Sequence, residues 1–362
     1  MARAAEALID LPALAHNLRR AREAMPGSRV MAVVKANGYG HGVERVAGAL
    51  RSADAFAVAC LDEAEQLRES GFAHPINVLE GFYDVEELRR FSRHHVDATI
   101  HQPEQIEALE RTRIDRPLKV WLKIDTGMHR LGVAPEQARA LWERLNACSA
   151  VGGIGLMTHL ANADNRNDPT TERQLLAFTG AIGHLHGERS IANSAGILGW
   201  PAASGDWIRS GIMLYGASPF CDSTAAEERL RPVMTLQTGL IAIRDLAAGE
   251  RLGYGGTWCS DKPSRIGVAA IGYGDGYPRH APSGTSVLVE GQRAPLVGRV
   301  SMDMITIDLT ELPEAKIGDR VVLWGAGLPA EEVARQAGTI PYELFCQVTR
   351  RVKFREHSGS SP

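Results

Sequence analysis

The sequence predicts an α/β protein of two domains. Residues 1–230 read as an N-terminal (β/α)8 TIM-like barrel and residues 231–362 as a C-terminal, mostly antiparallel β domain. Three observations carry this. Eight short apolar β-rich runs alternate with amphipathic segments between residues 29 and 210, the signature of a parallel sheet. The alternation stops near residue 230, and long β-rich runs take over. A chain of 362 residues also exceeds what one typical core encloses.

In chain order, "AEALIDL" (5–11) precedes the first barrel unit. It reads as a strand (about 4–11) available to the β domain. The barrel runs are "RVMAVVK" (29–35), "AFAVA" (55–59), "INVLE" (76–80), "VDATI" (96–100), "LKVWLKID" (118–125), "VGGIGLMTH" (151–159), "RSIANS" (189–194) and "DWIRS" (206–210). Between them, "LDEAEQLRES", "DVEELRRFSRHH", "QPEQIEALERTR" and "TTERQLLAFTGAIGHL" repeat apolar residues at helical spacing. Eight strands are the number that closes a barrel. An open doubly wound sheet is the alternative, but its G-x-G-x-x-G fingerprint is missing after the first strand. Beyond residue 230, "VMTLQTGLIAIRDL", "RIGVAAIGYGDGY", "SVLVEGQRAPLVGRVSMDMITIDL" and "DRVVLWGAG" are β-rich. Only "PAEEVARQAG" and "PYELFCQV" read as helical there. The tail "EHSGSSP" reads as a frayed end.

Composition narrows the function classes. A net charge of −3 gives no basic surface, so nucleic acid is not an expected partner. No run reaches transmembrane length, and Glu6 and Asp10 sit where a secretory signal needs an apolar core. Five scattered cysteines without a C-x-x-C pair read as reduced thiols of a cytoplasmic protein. No metal site is expected.

Reactive residues fall at the strand ends. Lys35 closes the first run, Lys123 and Asp125 the fifth, His159 the sixth, Asn193 and Ser194 the seventh, and Arg209 the eighth. Barrel enzymes work at that C-terminal rim. A lone strand-end lysine is ordinarily a solvated cap, but so many polar ends on one rim read as a site. A lysine ending a buried strand is partly desolvated, which lowers its pKa and frees the amine as a nucleophile. Free amines condense with aldehydes, and the commonest cofactor so held is pyridoxal phosphate. "NSAG" (193–196) and "SGI" (210–212) supply a hydroxyl and open amides where barrels build phosphate cradles. The glycines around Tyr39 read as room for close backbone approach to the cofactor.

"AVVKANGYGHG" closely resembles the cofactor-lysine signature of bacterial alanine racemases, pyridoxal-phosphate enzymes built from a barrel and a C-terminal β domain. "LKIDTGMHRLGV", "MTHLANAD", "NSAG", "IRSGIMLYG", "LGYGGTW", "IGYGDGYPR" and "GRVSMDM" resemble the same family in its own order, over nearly the whole chain. The resemblance implies interconversion of L- and D-alanine, supplying D-alanine for peptidoglycan. It implies Lys35 as cofactor lysine and one base, and Tyr254 as the base on the opposite face. Tyr39, Ser194, Gly211 and Ile212 would hold the phosphate, and Arg209 would face the pyridine nitrogen. His159 would contact the ring and join Arg209 and Tyr254. Arg130 and the Met302 backbone would take the substrate carboxylate. Lys123 resembles a lysine carried as a carbamate that steadies Arg130. Asp164, Tyr273, Arg279 and Arg299 resemble residues of the corridor to the site. The family is a head-to-tail homodimer in which this tyrosine enters the partner's barrel.

Each role has a reason. Two bases on opposite faces let either enantiomer react. A tyrosine titrates near 10, so it needs the cationic or hydrogen-bonding neighbours that His159 and Arg209 would supply. An arginine at the pyridine nitrogen keeps its proton, which leaves a weaker electron sink. The alternative for Tyr254 is packing a turn, and for Tyr273 and Tyr277 that they are loop aromatics; Trp258 reads as packing, and Asp275 and Asp303 as structural hydrogen-bonders. Arg350 stands where some family members place a phosphate-binding tyrosine and is left out of the site. Rival readings are a barrel-type amino-acid decarboxylase, a single-domain cofactor-binding barrel and a broad-specificity racemase. The decarboxylase would carry a "CESGD"-like segment and an acidic residue at the pyridine nitrogen, and neither is present. The single-domain barrel would lack Tyr254, and the broad-specificity racemase usually has an export signal.

Overall fold

The computed structural model describes residues 5–357. They form two compact units, 15–214 with 218–223, and 5–14 with 215–217 and 224–357. In the first unit eight parallel strands close a barrel: Arg29–Val33, Ala55–Val58, Ile76–Val78, Asp97–Ile100, Leu118–Lys123, Val151–Met157, Glu188–Ser190 and Trp207–Ser210. Closure comes from pairing the first strand with the last, Met31 opposite Arg209. The barrel strands are nearly continuous apolar runs because a parallel sheet wrapped in helices is buried on both faces. Ala55–Val58, for instance, is buried at every residue. The helices Leu61–Glu69, Val85–His94, Pro103–Arg111 and Thr170–Ile182 bury one stripe each. Asp84 caps Val85–His94 by accepting the Glu87 N–H at 2.8 Å.

The second unit is organised by one long strand, Met234–Leu246, whose first half alternates buried and half-buried residues. It pairs antiparallel with Glu6–Asp10, Arg320–Trp324 and Ser264–Ala269. A register shift between Leu240 and Ala242 bends it so that one strand serves several neighbours. Glu6–Asp10 also pairs in parallel with Lys353–His357, so the sheet is mostly but not wholly antiparallel. Lys353–His357 also corrects the expectation of a frayed "EHSGSSP": its first two residues are in a strand, and residues 358–362 lie outside the described residues. No helix among the described residues is long and apolar enough to cross a membrane.

At the N-terminal mouth of the barrel, Glu188 gathers Arg29, Lys119 and the Trp207 indole N–H. Burial alone would raise its carboxyl, but these three donors outweigh it and hold it at about 2. Neighbouring Asp97 behaves oppositely. Its burial outweighs the Lys119 and Arg68 charges and lifts it to about 6. The folded protein therefore keeps the Asp97 proton to higher pH than the unfolded chain, and stability contributed by this group falls as pH rises from about 4 to 6. Asp97→Asn is expected to raise the unfolding free energy at pH 7 by about 1–2 kcal/mol after discounting for partial solvent access, seen as a higher denaturant midpoint. It should change the midpoint little at pH 4; an equal effect at both values would refute the assignment.

Candidate active site

The first barrel strand stops at Val33, so Lys35 does not end it; the amine stands two residues beyond. Next, Ala36, Asn37, Gly38 and Tyr39 all take positive φ, from 49° to 62°. Such a left-handed turn costs an L-residue roughly 1–2 kcal/mol apiece, so it must be held. Glu63 holds its start, accepting the Ala36 N–H at 2.6 Å and the Ala59 N–H at 2.8 Å. Asn37 closes its end, its Oδ1 accepting the Val43 N–H at 2.9 Å. A Cβ at Gly38 would lie 2.9 Å from Val46 Cγ2. That glycine serves the turn and its packing on the helix Val43–Ala49. Glu63 is a residue that sequence reasoning missed, because nothing in "LDEAEQ" marks which acid turns back toward the rim.

The other rim residues follow the same rule of standing at or just past a strand end. Lys123 closes its strand, while Asp125 and His159 lie two residues past theirs. Asn193 caps the short helix Ser194–Gly199, its Oδ1 accepting the Gly196 N–H at 3.0 Å. Arg209 is within its strand and 4% exposed. Asp125 Oδ1 accepts the N–H groups of Gly127, Met128 and His129, each at 3.0 Å, and so shapes the loop that carries Arg130.

Burial falls harder on the other lysine. Lys35 is half-buried, while Lys123 is the more desolvated amine at 8% exposed. Burial, followed by the charges of Arg209, Arg130 and Lys35, lowers the Lys123 amine to about 8, with Asp125 opposing. None of Lys35, Lys123 and Arg130 makes an ion pair among the described residues. Cations so grouped at a rim attract anions.

Arg209 is oriented by oxygen atoms. Nη1 donates to Ser190 O at 2.9 Å and to Ser190 Oγ at 2.7 Å, and Nη2 to Thr158 O at 2.6 Å. Among the described residues its Nε donates to no protein acceptor, so that N–H is available to an acceptor on a ligand. Desolvation lowers Arg209 to about 10, so it remains a cation at neutral pH. Nη2 also approaches His159 Nδ1 at 3.3 Å. A guanidinium only donates, so His159 Nδ1 accepts and the ring proton belongs on Nε2. Burial and then the Arg209, Lys123, Arg130 and Lys35 charges hold His159 well below its usual range, a neutral imidazole.

A cradle forms where the last two strands end. Ser194 Oγ accepts the N–H of Gly211 at 3.0 Å and of Met213 at 3.3 Å. A Cβ at Gly211 would meet Tyr39 Oη at 2.9 Å, so glycine lets the tyrosine hydroxyl lie against the backbone. The Ile212 N–H has no acceptor among the described residues. Hydroxyls on Tyr39 and Ser194 with an open amide fit a phosphate.

The structure does not gather every residue named from the sequence. Tyr254, Tyr273, Arg279, Arg299 and Met302 belong to the second unit and are all exposed, Tyr254 at 69%. Tyr254 stands between Gly253 and Gly255, both at positive φ, beside the two-residue pairing of Arg251–Leu252 with Trp258–Cys259. In the barrel unit, Asp164 is half-buried with Cys221 Sγ 3.6 Å from its Oδ2. Tyr277 is a core residue, stacked on Trp324 at 6.2 Å between ring centres.

A family model described as alanine racemase, N-terminal domain, matches residues 9–219, and one described as alanine racemase, C-terminal domain, matches residues 233–356. The chain is 55% identical over 350 residues to an alanine racemase of Nitrosococcus oceani, covering 96% of this chain and 98% of that one. It is 53% identical over 363 residues to one of Halorhodospira halophila, with 100% of both chains covered. The crystal structure of biosynthetic alanine racemase from Pseudomonas aeruginosa is similar at TM-score 0.96 and 49% identity, covering 98% of this chain and 99% of that one.

Proposed function

Because the chain belongs to the alanine racemase family, we propose that it interconverts L- and D-alanine with pyridoxal phosphate and two bases, Lys35 and Tyr254. The observation that carries this reading is the rim itself: unpaired cations at Lys35, Lys123 and Arg130 beside a cradle of Tyr39, Ser194, Gly211 and Ile212. When bound, pyridoxal phosphate delocalises the charge left as the substrate Cα–H bond breaks.

The protein's own groups do the rest. Lys35 holds the cofactor covalently and exchanges a proton on one face of Cα, and Tyr254 does so on the other. Tyr39, Ser194, Gly211 and Ile212 would hold the phosphate, with Ile212 supplying the open amide. Arg209 offers Nε to the pyridine nitrogen without giving up its proton. His159, neutral and accepting from Arg209, would contact the ring and join a network with Arg209 and Tyr254. Arg130 and the Met302 backbone take the substrate carboxylate, while Asp164, Tyr273, Arg279 and Arg299 line its approach. Each active site combines two chains of a homodimer, with Tyr254 supplied by the partner. The five cysteines form no disulfide among the described residues, which supports a cytoplasmic setting, and the D-alanine formed would feed peptidoglycan.

Incubation with L-alanine tests the reading: D-alanine should accumulate to an equal mixture, and CO2 release without D-alanine would overturn it in favour of a decarboxylase.

Lys123 adds a second expected result. An amine lowered to about 8 has an appreciable neutral fraction near pH 7–8, and only the neutral form adds CO2. A nitrogen–carbon bond forms, a proton leaves, and the cation becomes an anion able to pair with Arg130. With 13C-labelled bicarbonate, a carbamate signal should appear and grow as pH rises through about 8. Lys123→Ala should lack the signal and raise the alanine KM about tenfold, the size of one charge-assisted contact. A wild-type protein without labelled carbon on Lys123 would overturn the assignment.

A further inference from the structure

Two loops of the second unit carry residues placed at the substrate, 272–277 with Tyr273 and 301–304 with Met302. They lie directly on each other. The Tyr273 N–H donates to Ser301 O at 3.0 Å, and the Gly274 N–H to Met302 O at 2.9 Å. A Cβ on Gly272 would run into the carbonyls of Ser301 and Met302, and one on Gly274 would strike the Arg351 guanidinium. Glycine is required at 272, where the clash is with backbone, and a side chain at 274 would push the Arg351 guanidinium aside.

Arg351 spans the junction. Its Nη2 donates to Asp303 on one loop, and its Nε lies 3.4 Å from Asp275 Oδ1 on the other. Asp275 is fully buried and turns its Oδ2 inward to accept the Gly272 N–H at 2.9 Å. The segment bearing Arg351 is itself tied down. The Thr349 N–H donates to Asp275 O and its Oγ1 to Gly274 O, both at 3.0 Å. Among the described residues the Met302 N–H has no protein acceptor, so the loop presents that donor outward.

We infer that Arg351 is a positioning residue, a cationic fork that joins Asp275 to Asp303 and thereby sets the Met302 amide and Tyr273 relative to each other. The inference deepens the proposed function and rests on it for the substrate. A planar fork presents its Nε–H and Nη–H donors in fixed, separated directions to two carboxylates, whereas a lysine ammonium gathers its donors on one compact, rotatable atom. The Arg351–Asp303 pair is exposed on both sides, 39% and 48%, and adds little to global stability, whereas Asp275 is fully buried and relies on the Arg351 charge to offset its own burial. Both pairs act on local geometry, where a displacement of about 1 Å can cost up to 10²-fold in rate.

Hydrogen–deuterium exchange on the cofactor-loaded protein tests the clamp, with alanine kinetics beside it. In Arg351→Gln, peptides covering 272–277 and 301–304 should exchange about tenfold faster together, while the remaining β-domain strands are unchanged. Asp303→Asn, at a side chain 48% exposed, should loosen both loops as well and carries the test if Arg351→Gln fails to fold. The alanine KM should rise about tenfold with kcat within about threefold, and Arg351→Lys should recover part of the loss. Faster exchange confined to the substituted segment, or an unmoved KM in an active protein, overturns the clamp. A wild-type protein that does not racemise alanine sinks the functional reading instead, and the exchange data still decide the clamp.

Discussion

Lys35→Ala is expected to abolish alanine racemisation in both directions, a loss of more than about 10⁴-fold. Two losses combine. The amine that would hold pyridoxal phosphate is gone, and so is the base on one face of the substrate. The structure places this amine with care: it begins a turn of four left-handed residues pinned by Glu63 and Asn37. The substitution touches neither pin, since both act on backbone N–H groups, so the variant should fold. Borohydride reduction of wild-type protein, followed by peptide mapping, should find the cofactor on the peptide containing Lys35. An adduct on Lys123, the more buried of the two lysines, would mean that their roles are exchanged.

Tyr254→Phe is the second large effect, a loss of about 10²–10⁴-fold in racemisation with cofactor binding intact. The loss should be asymmetric. One enantiomer should still exchange its α-hydrogen with solvent deuterium through Lys35, and the other should not. Equal loss for both would count against two bases. The same variant tests the shared site. Mixed with Lys35→Ala chains under conditions of subunit exchange, about half of the dimers should be mixed, each with one working site of two. About a quarter of wild-type activity should return. Confirmed exchange between differently tagged chains without any recovery would place Tyr254 in its own chain's site and remove the homodimer from the mechanism.

Much of the fold was legible before any coordinates. Parallel strands covered on both faces have to be apolar runs, so seven of the eight barrel strands appear in the sequence within two residues of their observed bounds; the seventh run, 189–194, overshoots the strand Glu188–Ser190 by four residues. The helices between them betray themselves by the periodicity of a single buried stripe. The motifs fell at strand ends because a barrel's rim is where a polar residue can follow a buried run without burying its charge. These are local properties, set by neighbours along the chain, and the order of the family's motifs rests on the same local text.

Tertiary structure decided what depends on distant groups. The left-handed turn after Val33 is stable because Glu63, 27 residues away, reaches back to Ala36. Lys123 rather than Lys35 is the more desolvated amine because its strand end is more deeply enclosed, and because Arg209 and Arg130 crowd it from other strands. Arg209 leaves Nε free only because the ends of two other strands supply Ser190 and Thr158 to occupy its remaining N–H groups. Arg351 joins two loops that begin 29 residues apart, numbered 272 and 301, which no periodicity connects. Desolvation, Coulomb repulsion and backbone contact act across space, so a linear pattern can name the residues of a rim but only the closed barrel and the packed loops set their charge and aim.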